Sequence, residues 1–412
     1  MDRNVSGRVN YYTATVVACV FAALCEGFDL QAAGVAAAGI AAEFKPSAQQ
    51  LGTFFSASSL GLLIGAVLGG RLSDSIGRKV TLLVSISLFG VFSISAALAR
   101  DIQFLSWARL LTGAGLGGAL PNLIALVNET SHPARRQANV ALVYAGMPLG
   151  GAVASLLSMV IEPGAWRAIF QAGGIVPLLL VPAMMWVVRE SPVFGRSKGT
   201  PADMSMPRAG SFLAIFAGRR ALPTTLLWIS AFLSLLTLYL LLSWLPTLLV
   251  ASGFSKPEAA GAQIAFNIGG ALAVLLMGQL LESRFRSLTI VTIFVAMPVT
   301  LLLLSRAPHT WVLVVAIVFL LGAAVIAAQG YLYAEVPGVY PSSIRGVGVG
   351  AMVAVGRVGS IVGPKLGGML KGAGHSSGRL LMDILPLVVL CSVVALTFAW
   401  RCRHQPKGCR PA

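Results

Sequence analysis

The sequence predicts an all-α polytopic membrane protein with twelve transmembrane helices. Of its 412 residues, 57% are hydrophobic and 11% are charged, whereas charged residues make up about a quarter of a soluble domain. Apolar segments of about 20 residues, the length that crosses a hydrocarbon layer, recur along the whole chain. Most of the connections between them are short. These three observations argue against a soluble enzyme.

The predicted spans fall into two sets of six. Between them lies a polar segment, 189–220, with six Lys or Arg residues and three prolines, which we interpret as a cytoplasmic linker. It separates an N-terminal half, 1–188, from a C-terminal half, 221–400, and a tail follows at 401–412. The twelve spans cover approximately 12–36, 51–70, 80–99, 104–127, 139–161, 168–188, 221–249, 260–281, 288–305, 311–334, 346–370 and 381–400.

The net charge of +16 is explained by topology. Twenty of the 30 Lys and Arg residues fall on the side that holds both predicted termini and the linker, seven fall on the other side, and three lie inside helices. Because cytoplasmic loops are enriched in Lys and Arg, we expect both termini in the cytoplasm. The bases form no continuous stripe, so no nucleic acid partner is predicted.

The two halves repeat a charge pattern at a spacing of about 208 residues, as expected for parallel six-helix repeats. Such repeats bind a substrate near the bilayer midplane between them, and the pattern therefore favours a transporter over a channel or a membrane enzyme. The matched positions are Asp74, Arg78 and Lys79 with Glu282, Arg284 and Arg286, and Glu129 with Glu335.

Four motifs resemble those of the major facilitator superfamily. GRLSDSIGRK at 70–79 is similar to the signature between helices 2 and 3, although Ser75 stands where arginine is usual. RLLTGAG at 109–115 resembles the helix 4 motif, and RESP at 189–192 the marker after helix 6. Within the superfamily, GFDLQ at 27–31 is similar to the marker of the aromatic acid:proton symporters. The resemblance implies a twelve-helix transporter that works by alternating access.

Two carboxylates in helix 1 are the candidate proton carriers. Glu26 and Asp29 are three residues apart and therefore share one helix face. Burial and mutual repulsion favour proton uptake by such a pair. No histidine lies in a predicted span, so proton coupling would depend on these carboxylates. The alternative interpretation is that Glu26 or Asp29 pairs with a base on a neighbouring helix.

Two arginines inside helices are candidates for binding a substrate carboxylate. Arg109 lies in helix 4 and Arg357 in helix 11. A guanidinium binds a carboxylate through two parallel hydrogen bonds, which suits an aromatic acid better than a sugar or a cationic drug. The alternative interpretation is that each arginine neutralises a buried acid, in which case Arg109 would pair with Glu26 or Asp29.

Aromatic and amide side chains inside the spans are candidates for the rest of the substrate site. A ring needs flat apolar walls, and a ring hydroxyl needs a polar partner. Packing within the bundle is the alternative for each of them. The candidates are Gln31, Asn122, Tyr239, Trp244, Asn267, Gln329 and Tyr333.

A gate is predicted at the cytoplasmic helix ends. In the superfamily, the aspartate that corresponds to Asp74 approaches helix 11 and its loop, and its ion pairs hold the cytoplasmic side closed. We assign Asp74, Arg78 and Lys79 to this gate, with Glu282 and Arg284 as the counterpart in the second half. A solvated loop would explain the two bases, but not their spacing from Asp74.

The resemblance to the aromatic acid:proton symporters, together with the charges inside the helices, implies a proton-coupled importer in a bacterial inner membrane, with an aromatic carboxylate of the phenylpropionate or hydroxybenzoate type as substrate. We expect it to function as a monomer in the lipid bilayer, with the proton as coupling ion and no cofactor or metal. The alternative is an exporter of drugs or metabolites. Helix 5 carries GMPLGG at 146–151, a loose version of the antiporter motif, which favours import.

Overall fold

The computed structural model is a bundle of long α-helices. It describes residues 2–190, 213–217, 220–308, 310–341 and 344–404. Twelve helices of this described part are long and apolar enough to cross a membrane, which confirms the predicted number. The helices are α1 (Asp2–Phe44), α2 (Ala48–Ile76), α3 (Arg78–Ala97), α4 (Ile102–Thr130), α5 (Arg136–Val160), α6 (Arg167–Val187), α7 (Ala221–Ala251), α8 (Lys256–Glu282), α9 (Arg286–Ser305), α10 (Trp311–Val339), α11 (Arg345–Gly372) and α12 (Ser377–His404).

Polar caps at the connections define where several helices begin. Ser47 and Gln50 form a capping box at the start of α2, and Ser255 and Glu258 form another at the start of α8. The side chain of Asp101 accepts a hydrogen bond from the backbone at the start of α4. These residues satisfy N–H groups that lack a partner within the helix. Several helices therefore extend beyond the apolar spans predicted from hydrophobicity.

The connections alternate between two faces of the bundle because consecutive helices run in opposite directions. With twelve helices, the start of α1 and the end of α12 lie at the same face, which we call the termini face. The other face, which carries the connections at 45–47 and 373–376, is called the far face. Most of the predicted linker, at 191–212, 218 and 219, and the tail at 405–412 lie outside the described residues.

Small residues bring α2 and α4 into backbone contact. A Cβ atom at Gly65 would lie 1.9 Å from the carbonyl oxygen of Ala114, and one at Gly113 would lie 2.1 Å from that of Ser58. No side chain fits at either position. Close packing of the two helices follows from glycines spaced four residues apart, which are Gly61, Gly65 and Gly69 in α2 and Gly113 and Gly117 in α4.

The first six helices meet the last six along three helix pairs, α1 with α7, α2 with α11 and α5 with α8. At the far face this seam is tight. A Cβ atom at Gly52 of α2 would lie 3.0 Å from the Cα atom of Gly368 in α11, and the Ser56 hydroxyl donates to the Ile361 carbonyl at 2.8 Å. The far-face ends of α2 and α11 are thus closed against each other.

Candidate functional site

Asp29 and Arg109 form an ion pair between α1 and α4. Arg109 Nη1 lies 2.6 Å from Asp29 Oδ2, and Nη2 donates to the Asp29 carbonyl at 2.8 Å. Ser93 donates to the other carboxylate oxygen at 2.7 Å, and the guanidinium lies over the Phe170 ring. Both charged side chains are fully buried. Of the two interpretations of Arg109, the geometry agrees with neutralisation of a buried acid.

Glu26 has a different environment, although it lies one turn from Asp29 on the same face of α1. Its side chain is fully buried, and neither carboxylate oxygen has a hydrogen-bond partner among the described residues. It interacts electrostatically with Arg357 of α11, across the seam between the two sets of six helices. An ionised carboxylate without a hydrogen bond is costly to bury, so Glu26 is suited to holding a proton.

Arg357 uses only some of its hydrogen-bond donors within the described part of the chain. Its Nη1 donates to the Tyr239 hydroxyl of α7 at 2.8 Å. Its Nε is buried without a partner, and no described residue accepts a hydrogen bond from Nη2. One edge of the guanidinium, formed by Nε and Nη2, is therefore free. This edge offers the two parallel donors that a carboxylate accepts.

Two further tyrosines interact electrostatically with Arg357. Tyr333 of α10 was among the candidates from the sequence, whereas Tyr144 of α5 was not. Tyr144 also interacts with Glu26 and with Tyr333. Both tyrosines are half-buried. The only signal for Tyr144 in the sequence is a hydroxyl-bearing residue within an apolar span, which alone does not distinguish a ligand contact from packing.

Three buried amides join the two sets of helices between the centre and the far face. Gln31 of α1 and Asn267 of α8 exchange two hydrogen bonds of 2.8 Å each. Gln263 donates a third, of 3.0 Å, to the Gln31 side chain. Gln31 is thus brought together with Asn267, as a link across the seam.

Two other candidates donate hydrogen bonds to residues of the last six helices. Trp244 donates to the Pro364 carbonyl at 2.9 Å, and its ring packs edge-on against Phe55 at 5.2 Å between centroids. Gln329 donates to the Ser234 hydroxyl at 2.7 Å. These hydrogen bonds tie α7 to α11 and α10.

Asn122 lies beside the α2–α3 connection at the termini face, away from Arg357. It accepts a hydrogen bond from Ser73 at 2.7 Å and donates to the Gly118 carbonyl at 2.8 Å. Ser73 directly precedes Asp74. The structure therefore groups Asn122 with the predicted gate.

Arg78 and Lys79 fasten α3 to its neighbours at the termini face. Arg78 pairs with Glu129 at the end of α4, with 2.5 Å between Nη1 and Oε1. The backbone N–H groups of Arg78 and Lys79 donate to the Glu190 carboxylate at 2.8 and 3.1 Å, and Lys79 Nζ donates to the Met185 carbonyl. Both cations thus bind within the first six helices.

The last six helices contain an ion pair equivalent to the pair of Arg78 with Glu129. Arg286 of α9 pairs with Glu335 of α10, at positions that the sequence repeat relates to Arg78 and Glu129. Glu282 and Arg284 are exposed, and Arg284 lies over the neighbouring Phe285 ring. Asp74 is also exposed and makes no ion pair or hydrogen bond with any residue described. The three charges do not contact one another in this conformation.

Comparisons with known proteins agree on one family. A family model described as Major Facilitator Superfamily matches residues 19–364. The 3-(3-hydroxy-phenyl)propionate transporter of Escherichia coli (strain K12) is 41% identical, with 95% of each chain covered. The gallate transporter of Pseudomonas putida is 30% identical, over 94% of this chain and 91% of its own. A crystal structure of a D-xylose-proton symporter aligns with a TM-score of 0.77 at 17% identity, covering 94% of this chain and 98% of its own.

Proposed function

The chain belongs to the major facilitator superfamily, and on this premise we propose that it imports an aromatic carboxylate together with a proton. It is a multi-pass membrane transporter rather than an enzyme. The names of both curated relatives specify hydroxylated aromatic acids. They support a substrate of the phenylpropionate or hydroxybenzoate type, such as 3-(3-hydroxyphenyl)propionate.

The free edge of Arg357 is the observation that carries this proposal. The guanidinium is held at Nη1 by Tyr239, while Nε and Nη2 have no partner among the described residues. A substrate carboxylate would satisfy both donors at once. Arg109 is already paired with Asp29, so the carboxylate site is assigned to Arg357 alone.

Glu26 is proposed to carry the proton. An ionised Glu26 competes with the substrate carboxylate for the charge of Arg357, with which it interacts. Protonation removes this competition, because the neutral acid leaves Arg357 to the substrate. Substrate and proton would therefore bind together and leave together, which is the requirement for symport.

Asp29 and Arg109 are proposed to fix the position of Glu26. Their ion pair anchors the segment of α1 that contains Glu26 to α4. Both carboxylate oxygens of Asp29 accept hydrogen bonds, one from Ser93 and one from Arg109, so this acid is already fully engaged by protein partners. Of the two acids, this leaves Glu26 as the proton carrier.

Alternating access would then come from rocking of residues 1–188 against residues 221–400. In the conformation described, the far face is closed and Asp74 is unpaired at the termini face. We propose that the termini face is cytoplasmic, and that Asp74, Arg78 and Lys79 meet the second half, with Glu282 and Arg284, when that side closes. A single chain in the cytoplasmic membrane suffices for this cycle.

Uptake into proteoliposomes tests the proposal. The purified protein should accumulate labelled 3-(3-hydroxyphenyl)propionate when the lumen is alkaline, and a protonophore should abolish accumulation. Glu26→Gln should abolish accumulation but retain exchange of labelled for unlabelled acid. Concentrative uptake that survives the protonophore would contradict proton coupling, and export against the gradient would favour an antiporter.

A further inference from the structure

Three phenol groups surround Arg357, and they differ in how their hydroxyls are engaged. Tyr239 accepts the hydrogen bond from Nη1. The hydroxyls of Tyr144 and Tyr333 make no hydrogen bond with any residue that the structure describes. Only the first of the three phenols has its hydroxyl occupied by the arginine.

The two unpaired hydroxyls are accessible, in contrast to the other unpaired polar atoms nearby. Both side chains are half-buried, and neither hydroxyl oxygen is among the buried atoms that lack a partner. The Glu26 carboxylate and Arg357 Nε do belong to that group. The hydroxyls of Tyr144 and Tyr333 are therefore available to a ligand, and both tyrosines interact with the charge of Arg357.

The accessible hydroxyls distinguish these two tyrosines from a tyrosine that serves packing alone. A fully buried phenol O–H needs a protein partner, because an unpaired hydroxyl in apolar surroundings is costly, whereas an accessible one is open to a ligand. Tyr340 shows this arrangement, since it is fully buried and donates to the Thr224 hydroxyl at 3.2 Å. Tyr144 and Tyr333 lack such a partner although both interact with the charge of Arg357.

We propose that Tyr144 and Tyr333 form a recognition site for a ring hydroxyl of the substrate, which rests on the proposed function. With the carboxylate on the Nε–Nη2 edge of Arg357, the ring lies between α5 of the first half and α10 of the second. A hydroxyl on the ring then exchanges hydrogen bonds with one or both phenols. The site thus selects hydroxylated aromatic acids over the same acids without the hydroxyl.

Transport of two acids that differ only in the hydroxyl tests this site. Labelled 3-(3-hydroxyphenyl)propionate and 3-phenylpropionate are compared in proteoliposomes with the wild-type protein, Tyr144→Phe and Tyr333→Phe. We expect one or both variants to raise KM for the hydroxylated acid about threefold to tenfold, the effect of losing one hydrogen bond. KM for 3-phenylpropionate should not change. Tyr340→Phe is the matched control, and it should leave the ratio of the two KM values as in the wild type.

The outcomes distinguish failure of the hydroxyl site from failure of the proposed function. If the wild-type protein transports both acids and both variants keep its KM ratio, the hydroxyl site is wrong while the proposed function stands. If each variant raises the two KM values by the same factor, the phenols serve packing and the hydroxyl site is again wrong. If the wild-type protein transports neither acid, the proposed function itself fails.

Discussion

Asp29 binds Arg109 through both its side chain and its backbone carbonyl, whereas Glu26, on the same face of α1, has no hydrogen-bond partner among the described residues. The two acids are therefore chemically distinct despite their spacing of three residues. Asp29 is engaged by Arg109 and joins α1 to α4. The other is a buried group that gains from being neutral unless a cation faces it.

Removing the charge of Asp29 should destabilise the protein. Asp29→Asn leaves Arg109 as an uncompensated charge with no exposed surface, and breaking a buried pair in this way costs about 3–5 kcal/mol. The expected result is a lower midpoint of thermal unfolding in detergent. Glu26→Gln should leave that midpoint near the wild-type value, since Glu26 has no hydrogen bond to lose.

A double variant provides the control for this pair. Asp29→Leu with Arg109→Leu removes both charges together, so it should be less destabilising than the sum of the single changes. Additive effects of the two substitutions would show that the residues are not coupled and would contradict the assignment of a buried ion pair.

Arg357→Lys should weaken substrate binding without unfolding the protein. Lysine keeps the charge but offers no pair of parallel donors. Losing one charge-assisted hydrogen bond should raise KM at least about tenfold, while expression and thermal stability change little. Lys365→Ala, on the same helix at an exposed position, is the matched control and should leave KM unchanged. An equal KM for Arg357→Lys and wild type would exclude the carboxylate site.

Transport of a monovalent acid should not respond to membrane potential. If Glu26 is the one group that carries a proton, a monoanion and its proton cross without net charge. A potential of 100 mV, imposed with valinomycin and no pH difference, should then produce no accumulation. With a second proton, the same potential would supply about 2.3 kcal/mol, which corresponds to roughly fortyfold accumulation. Accumulation of that size would mean that a second acid titrates.

The amides between α1 and α8 should help to hold the far face closed. Gln31→Leu leaves Asn267 and Gln263 without their shared partner in the closed form, whereas water satisfies them once this face opens. Closure is measured by the reaction of an impermeant maleimide with a single cysteine at position 48, the far-face end of α2, in a background without other cysteines. In the Gln31→Leu variant this cysteine should react at least about fivefold faster than in the protein that retains Gln31. Gln329→Leu breaks a hydrogen bond within the last six helices and should not change this rate. Equal rates for both variants would exclude a role of the amides in closure.

Much of the fold could be predicted from the sequence, because membrane helices depend on local properties of the chain. Segment length and apolarity predicted twelve spans, and the described part of the chain has them. The charge repeat also predicted that Glu335 would match Glu129. Arg286 and Glu335 indeed pair as Arg78 and Glu129 do, since equivalent helix ends meet in each set of six.

Individual site residues were harder to predict because a side chain's partner depends on how distant segments pack. The sequence left open whether Arg109 neutralises an acid or binds a ligand, and the structure pairs it with Asp29, 80 residues away. Gln31 was a candidate contact for the substrate, yet its amide faces Asn267, which is 236 residues away. Tyr144 carried no distinctive local signal and is noticeable only through its neighbours Glu26 and Arg357.

The class of protein, the number of helices and the few charges inside them could all be predicted from local segments of the chain. These properties follow from the free energy of transferring a segment from water into a bilayer. That free energy depends on the residues of the segment itself. Only the tertiary structure distinguished Glu26 from Asp29 and Arg357 from Arg109. The partners of a buried charge decide whether it is held in an ion pair or is left to bind a proton or a substrate. Those partners come from other helices.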